Sequence, residues 1–231
     1  MSSFAEYILN EPDLHKKIEL AYYLHKKKNT LFNNTVIFKT MIAKMFIETM
    51  KLDVDENQVL TACLLCSCKK IDNAQDMERI KSYAKESADF LSKIGFDKNF
   101  CKICEQQNRY SGSSPRTKEG DILELADQFG GMLLDRPERQ AFPIDEAIIL
   151  LEYRNLKDQN NLYLENFKQF LEIEIKTIIA DNNLKVKSFD PITIIGKYAT
   201  RDKMVDFLRR TNDIYEIYSK DISKSEKLKD D

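Results

Sequence analysis

Ile122-Leu123-Glu124-Leu125-Ala126-Asp127-Gln128-Phe129 decides the fold class. Ile122, Leu125, Ala126 and Phe129, with Leu133 beyond them, step by three and four, so they share one face of an α-helix. The same step recurs on both sides. Ile80, Tyr83, Ala84, Ser87, Leu91 and Ile94 carry it, with Gly95 as a C-terminal cap. Leu164, Phe167, Leu171, Ile175 and Ile178 carry it again, as do Met204, Phe207, Leu208, Tyr215 and Tyr218. Asp55 with Gln58 and Asp97 ahead of Phe100 are helix starts. The pattern predicts helices near 12–28, 31–51, 56–70, 74–94, 98–109, 119–134, 144–156, 160–181 and 200–219. Ser111 to Pro115 is turn chemistry, and Asn182 to Pro191 divides the last two helices.

Composition agrees with an all-α chain. Six Gly and five Pro in 231 residues are too few for a strand-and-turn protein. Charged residues make up 32%, which suits helices with salted outer faces. Thirty-six Lys and Arg against 38 Asp and Glu leave a net charge of −2, which argues against nucleic acid as a general partner. No stretch reaches the roughly 18 apolar residues of a membrane span. The start, Met1-Ser2-Ser3-Phe4-Ala5-Glu6, has no secretory pattern. The expected location is the cytoplasm, where the five Cys stay free thiols or ligands.

Four stretches carry a family resemblance. Ala62-Cys63-Leu64-Leu65-Cys66-Ser67-Cys68-Lys69-Lys70-Ile71 resembles the A-x-L-L-H-D-I-G-K-I helix of the HD superfamily of metal-dependent phosphohydrolases, with Cys66 and Ser67 in place of His-Asp. Ile122 to Phe129 is similar to the family's last metal-binding helix, with Asp127 at the ligand position. Asp135-Arg136-Pro137-Glu138-Arg139-Gln140-Ala141, followed by Asp145-Glu146-Ala147, resembles the D-R-P-Y-R-x-A signature of the HD-GYP branch, the bacterial cyclic di-GMP phosphodiesterases. Gln106 to Pro115 is similar to that branch's H-H-E-R-Y-D-G-S-G-Y-P loop, one residue short. There Gln106 and Gln107 replace the paired His, Asn108 replaces Glu and Ser111 replaces Asp. Counting back from Cys66 at the family's spacing puts its first His position at Asn33.

The resemblance implies an HD-type helical bundle over 31–158, with an N-terminal helix in 1–30, a C-terminal helical extension over 159–219 and a polar tail over 220–231. It also implies former metal-ligand positions at Asn33, Cys66, Ser67, Gln106, Gln107 and Asp127. The family's chemistry needs cations held by His and ionised Asp to activate water. Amide and hydroxyl oxygens are weak neutral ligands for such ions. Only Asp127 keeps a ligand side chain, so the expectation is a pseudo-phosphodiesterase with no catalytic residue and no cofactor. Such a chain would act as a binding or signalling module, its partner another signalling protein or a second copy of itself.

Two other readings stand beside it. Cys63 with Cys66, and Cys101 with Cys104, are each spaced to share a helix face, and four thiolates at one place would hold a metal or run redox chemistry. The bland alternative is that they pack as small apolar residues. Arg109, Arg136 and Arg139 would serve a non-hydrolysing cyclic di-GMP receptor if they converged, although for Arg136 and Arg139 ties to helix ends and to Asp135 or Glu138 are the simpler role. His15 and His25, flanked by lysines, read as solvated helix surface. Asp127, left without a metal, is expected to be satisfied by Asn33, Ser67 and the amides of Gln106 and Gln107.

Overall fold

A computed structural model describes residues 3–32, 34–70, 77–133, 142–156 and 161–177. Those residues are all-α, with no strand among them. The helices are α1 (Phe4–Asn10), α2 (Leu14–Lys28), α3 (Asn34–Met50), α4 (Glu56–Leu65), α5 (Met77–Lys93), α6 (Lys98–Glu105), α7 (Lys118–Met132), α8 (Ile144–Leu156) and α9 (Leu164–Phe170). A short 3-10 turn covers Arg109–Ser111, and α9 runs on into a π-turn over Leu171–Ile175. The helix expected at 200–219, the Asn182 to Pro191 divider and the tail at 220–231 lie outside the described residues.

Helix α7, which carries Ile122 to Phe129, is the axis of the described residues. From Gly120 to Met132 only Gln128 of α7 escapes full burial, as expected of a helix enclosed on every side. Around it pack α3, α4, α6 and α8. Gly130 faces α3, where a Cβ would meet the Lys39 Cβ and a Phe38 ring carbon at 3.4 Å, in ordinary van der Waals contact. One apolar cluster holds Ala5 and Ile8 of α1, Ile18 of α2, Phe38 and Phe46 of α3, Leu60 of α4, Phe129 of α7, and Phe167 and Phe170 of α9. Phe46 and Phe167 meet edge-on at 4.8 Å, and Phe129 meets Phe167 at 5.6 Å. The core is therefore continuous across residues 30/31 and 158/159.

Three expectations need correcting. First, helix α1 was not expected. Ser3 and Glu6 form its capping box: the Glu6 amide donates to Ser3 Oγ at 3.2 Å, and the Ser3 amide to the Glu6 carboxylate at 2.9 Å. Second, the helices read as 56–70 and 98–109 stop at Leu65 and Glu105. Their final stretches are turns, and these turns carry Cys66, Ser67, Gln106 and Gln107.

Third, His25 is not surface. It is 2% exposed and bridges Thr30 Oγ1 (2.7 Å from Nδ1) and the Leu64 carbonyl (2.9 Å from Nε2). The carbonyl can only accept, so Nε2 carries the proton and Nδ1 accepts from the Thr30 hydroxyl. His15 sits at the surface beside Glu19, 3.9 Å away. Lys17 is also fully buried. Its ammonium donates to the Ile8 carbonyl (2.6 Å), the Leu9 carbonyl (3.4 Å) and Thr61 Oγ1 (2.8 Å), closing the carbonyl end of α1. Burial pushes its pKa down to about 8, against the opposing pull of Glu11, Asp55 and Glu56.

Candidate functional site

The C-terminal end of α4 is buried, so its carbonyls need partners inside the protein. The His25 ring donates to the Leu64 carbonyl, the Cys68 amide to the Leu65 carbonyl (3.2 Å), and the Gln107 side-chain amide to the Cys66 carbonyl. This end of a helix also carries partial negative charge and favours a cation nearby.

That cation is Lys39, which comes from the middle of α3 and is 1% exposed. Its ammonium donates to Ser67 Oγ at 2.7 Å, Asp127 Oδ1 at 2.9 Å and Cys66 Sγ at 3.1 Å. Three donors meet three acceptors. Ser67 Oγ in turn donates to Gln107 Oε1 at 3.3 Å, which completes a closed set. Burial by itself would lower the Lys39 pKa. Burial is the largest single influence, but the Asp127 carboxylate together with Cys66 and Cys63 more than offsets it, so the group is held above the ordinary lysine value and stays charged. Cys66 and Cys63 are thiols here, because burial pushes both up more strongly than Lys39 draws them down. On the outer side, Lys70 Nζ lies 4.0 Å from Asp127 Oδ2 and 5.4 Å from the centre of the Tyr83 ring.

The expected polar network around Asp127 is thus corrected in its centre. Ser67 and Gln107 take part, but the group on Asp127 is an ammonium rather than the two glutamine amides. Gln106 turns away: its amide donates to the Pro115 carbonyl (3.0 Å), and its Oε1 accepts from Thr117 N and Oγ1 (2.9 Å each). It thereby fixes the start of α7. Asn33 lies outside the described residues. Lys39 was missed, although Val36-Ile37-Phe38-Lys39-Thr40-Met41-Ile42-Ala43 gives it apolar neighbours all round a helix, which is the sequence mark of a buried charge.

One turn and two turns earlier on α7 stand Glu124 and Asp121. Glu124 is fully buried and accepts Arg109 Nε on both oxygens (2.8 and 3.0 Å), Arg116 Nη2 at 2.9 Å and Asn161 Nδ2 at 3.2 Å. Asp121 accepts from Arg116 Nε and from the Leu162 amide at 2.9 Å. Arg109 is therefore bound to a carboxylate of its own chain, and Asn161 ties the C-terminal segment to the same cluster. Arg136 and Arg139 lie outside the described residues, so their convergence with Arg109 is not on view.

All five cysteines are buried free thiols. Burial raises Cys68 and Cys101 to about 11 and Cys104 well above the ordinary thiol value. Among the described residues no three His, Cys, Asp or Glu side chains converge as a metal set requires. The side chains present also do not fit the cation centre that the resemblance implies. Asp127 already carries an ammonium, Cys66 is neutral, and Ser67 and Gln107 bond each other. No helix among the described residues is long and apolar enough to cross a membrane. No family model, no curated protein and no solved structure matches the chain.

Proposed function

We propose that this chain is a degenerate HD-GYP-like protein that keeps a helical body without catalysis and works as a cytoplasmic binding or signalling module. The observation that carries the reading is the closed set around Lys39. At the positions where hydrolysis needs open anionic ligands, Cys66, Ser67, Gln107 and Asp127 are buried and satisfy one another through an ammonium. The partner is another signalling protein or a second copy of the chain. The receptor alternative is weakened because Arg109 is committed to Glu124, and the Cys-centre alternative because no three ligand side chains converge among the described residues.

The test is direct. Purified full-length chain, supplied with excess manganese or iron, hydrolyses no cyclic di-GMP above a no-protein control. Calorimetry with cyclic di-GMP separates the receptor reading from the module. Native co-purification returns a defined protein partner or a second copy. Turnover that disappears in Asp127→Ala contradicts the proposal, as does a chain that remains single and partnerless.

A further inference from the structure

The mismatch between the implied metal centre and the side chains present has its own reading. We infer that Lys39 is a tethered cation filling a cation-binding site made by the C-terminal end of α4 and the Asp127 carboxylate of α7. The site takes an alkylammonium group, and this chain supplies that group from α3. Three features argue for a built site rather than a lysine trapped in packing. Every ammonium proton has an acceptor, at 2.7, 2.9 and 3.1 Å. Two of those acceptors lie on the turn that ends α4, and their neighbour Gln107 holds both Ser67 and the Cys66 carbonyl in place. Lys39 itself is 1% exposed, so its ammonium is committed to these acceptors rather than to water.

Lys39 then joins α3, α4 and α7 in the role a structural ion plays in other proteins, and the body needs no metal from solution. This deepens the module reading and can fail apart from it, since hydrolysis assays do not report on Lys39.

The experiment compares full-length wild type with Lys39→Ala in thermal melts, with propylammonium, its uncharged isostere propanol, manganese or EDTA added. Wild type responds to none of them. Lys39→Ala loses roughly 10 °C of melting midpoint because the Asp127 carboxylate loses its buried ammonium. Propylammonium restores several degrees of that loss and propanol does not. If Lys39→Ala is recovered only unfolded, refolding from denaturant in propylammonium against propanol gives the same readout, and failure to refold in propylammonium counts against the inference. It is overturned if Lys39→Ala melts like wild type, if propanol rescues as well as propylammonium or neither rescues, or if EDTA lowers and manganese raises the wild-type midpoint.

Discussion

Helix α7 carries two ionic regions that are built in opposite ways. At Asp121 and Glu124 the cations are close in sequence. Arg116 is five residues from Asp121, Arg109 is fifteen from Glu124, and the two arginine side chains are 15% and 22% exposed. Their energy goes into shaping the 106–118 loop and docking Asn161. At Asp127 the cation comes from 88 residues away, on another helix, and its side chain is 1% exposed. It fixes three helices against one another. A local cluster whose arginines are partly exposed shapes a loop; a remote pair whose ammonium is buried fixes a fold.

The comparison predicts an order of effects. Asp127→Ala leaves the Lys39 ammonium buried with no carboxylate beside it, and should lose about 3–5 kcal/mol in denaturant melts. Glu124→Ala should lose less, about 2–3 kcal/mol, because both arginines can turn to water. Its amide exchange should quicken mainly across residues 106–118. Equal losses, or loosening spread evenly over both variants, would break the contrast.

A smaller effect is read from pH. Burial, reinforced by the nearby Lys39 charge and opposed by the Leu64 carbonyl, lowers His25 from the ordinary 6.5 to about 4. Below pH 6.5 the unfolded chain therefore takes up a proton that the folded chain refuses until about pH 4. Stability falls as the pH drops through that window. Between neutrality and about pH 4.5 the loss from this group is about 2 kcal/mol. Matched denaturant melts of wild type and His25→Gln should show a smaller acid loss in the variant; identical acid slopes would remove His25 from the account.

Much of this fold was legible from apolar spacing. Ile122 to Leu133 reads as a helix because the step of three and four is local, and α7 lies there. The ends of α4 and α6 were not legible. Leu64 to Lys70 keeps helical composition through Lys70, and what stops the helix is tertiary: His25, Gln107 and Lys39 satisfy its last groups from elsewhere in the chain. The candidate site was half legible. Cys66, Ser67, Gln107 and Asp127 do come together, while Gln106 points elsewhere. Pairing Lys39 with Asp127 needs three-dimensional proximity across 88 residues, which no local pattern encodes. Its burial, by contrast, could be read from Val36 to Ala43.

The central claim is that the buried Lys39–Asp127 ion pair holds α3 to α7. A double-mutant cycle with Lys39→Met and Asp127→Leu, followed by denaturant unfolding at neutral pH, tests it most directly. Each single variant takes the 2.9 Å partner from one charge and should lose about 3–5 kcal/mol, while the double variant, with both charges gone, should recover most of that loss. Single losses that simply add in the double variant, or a Lys39→Met chain as stable as wild type, would contradict it.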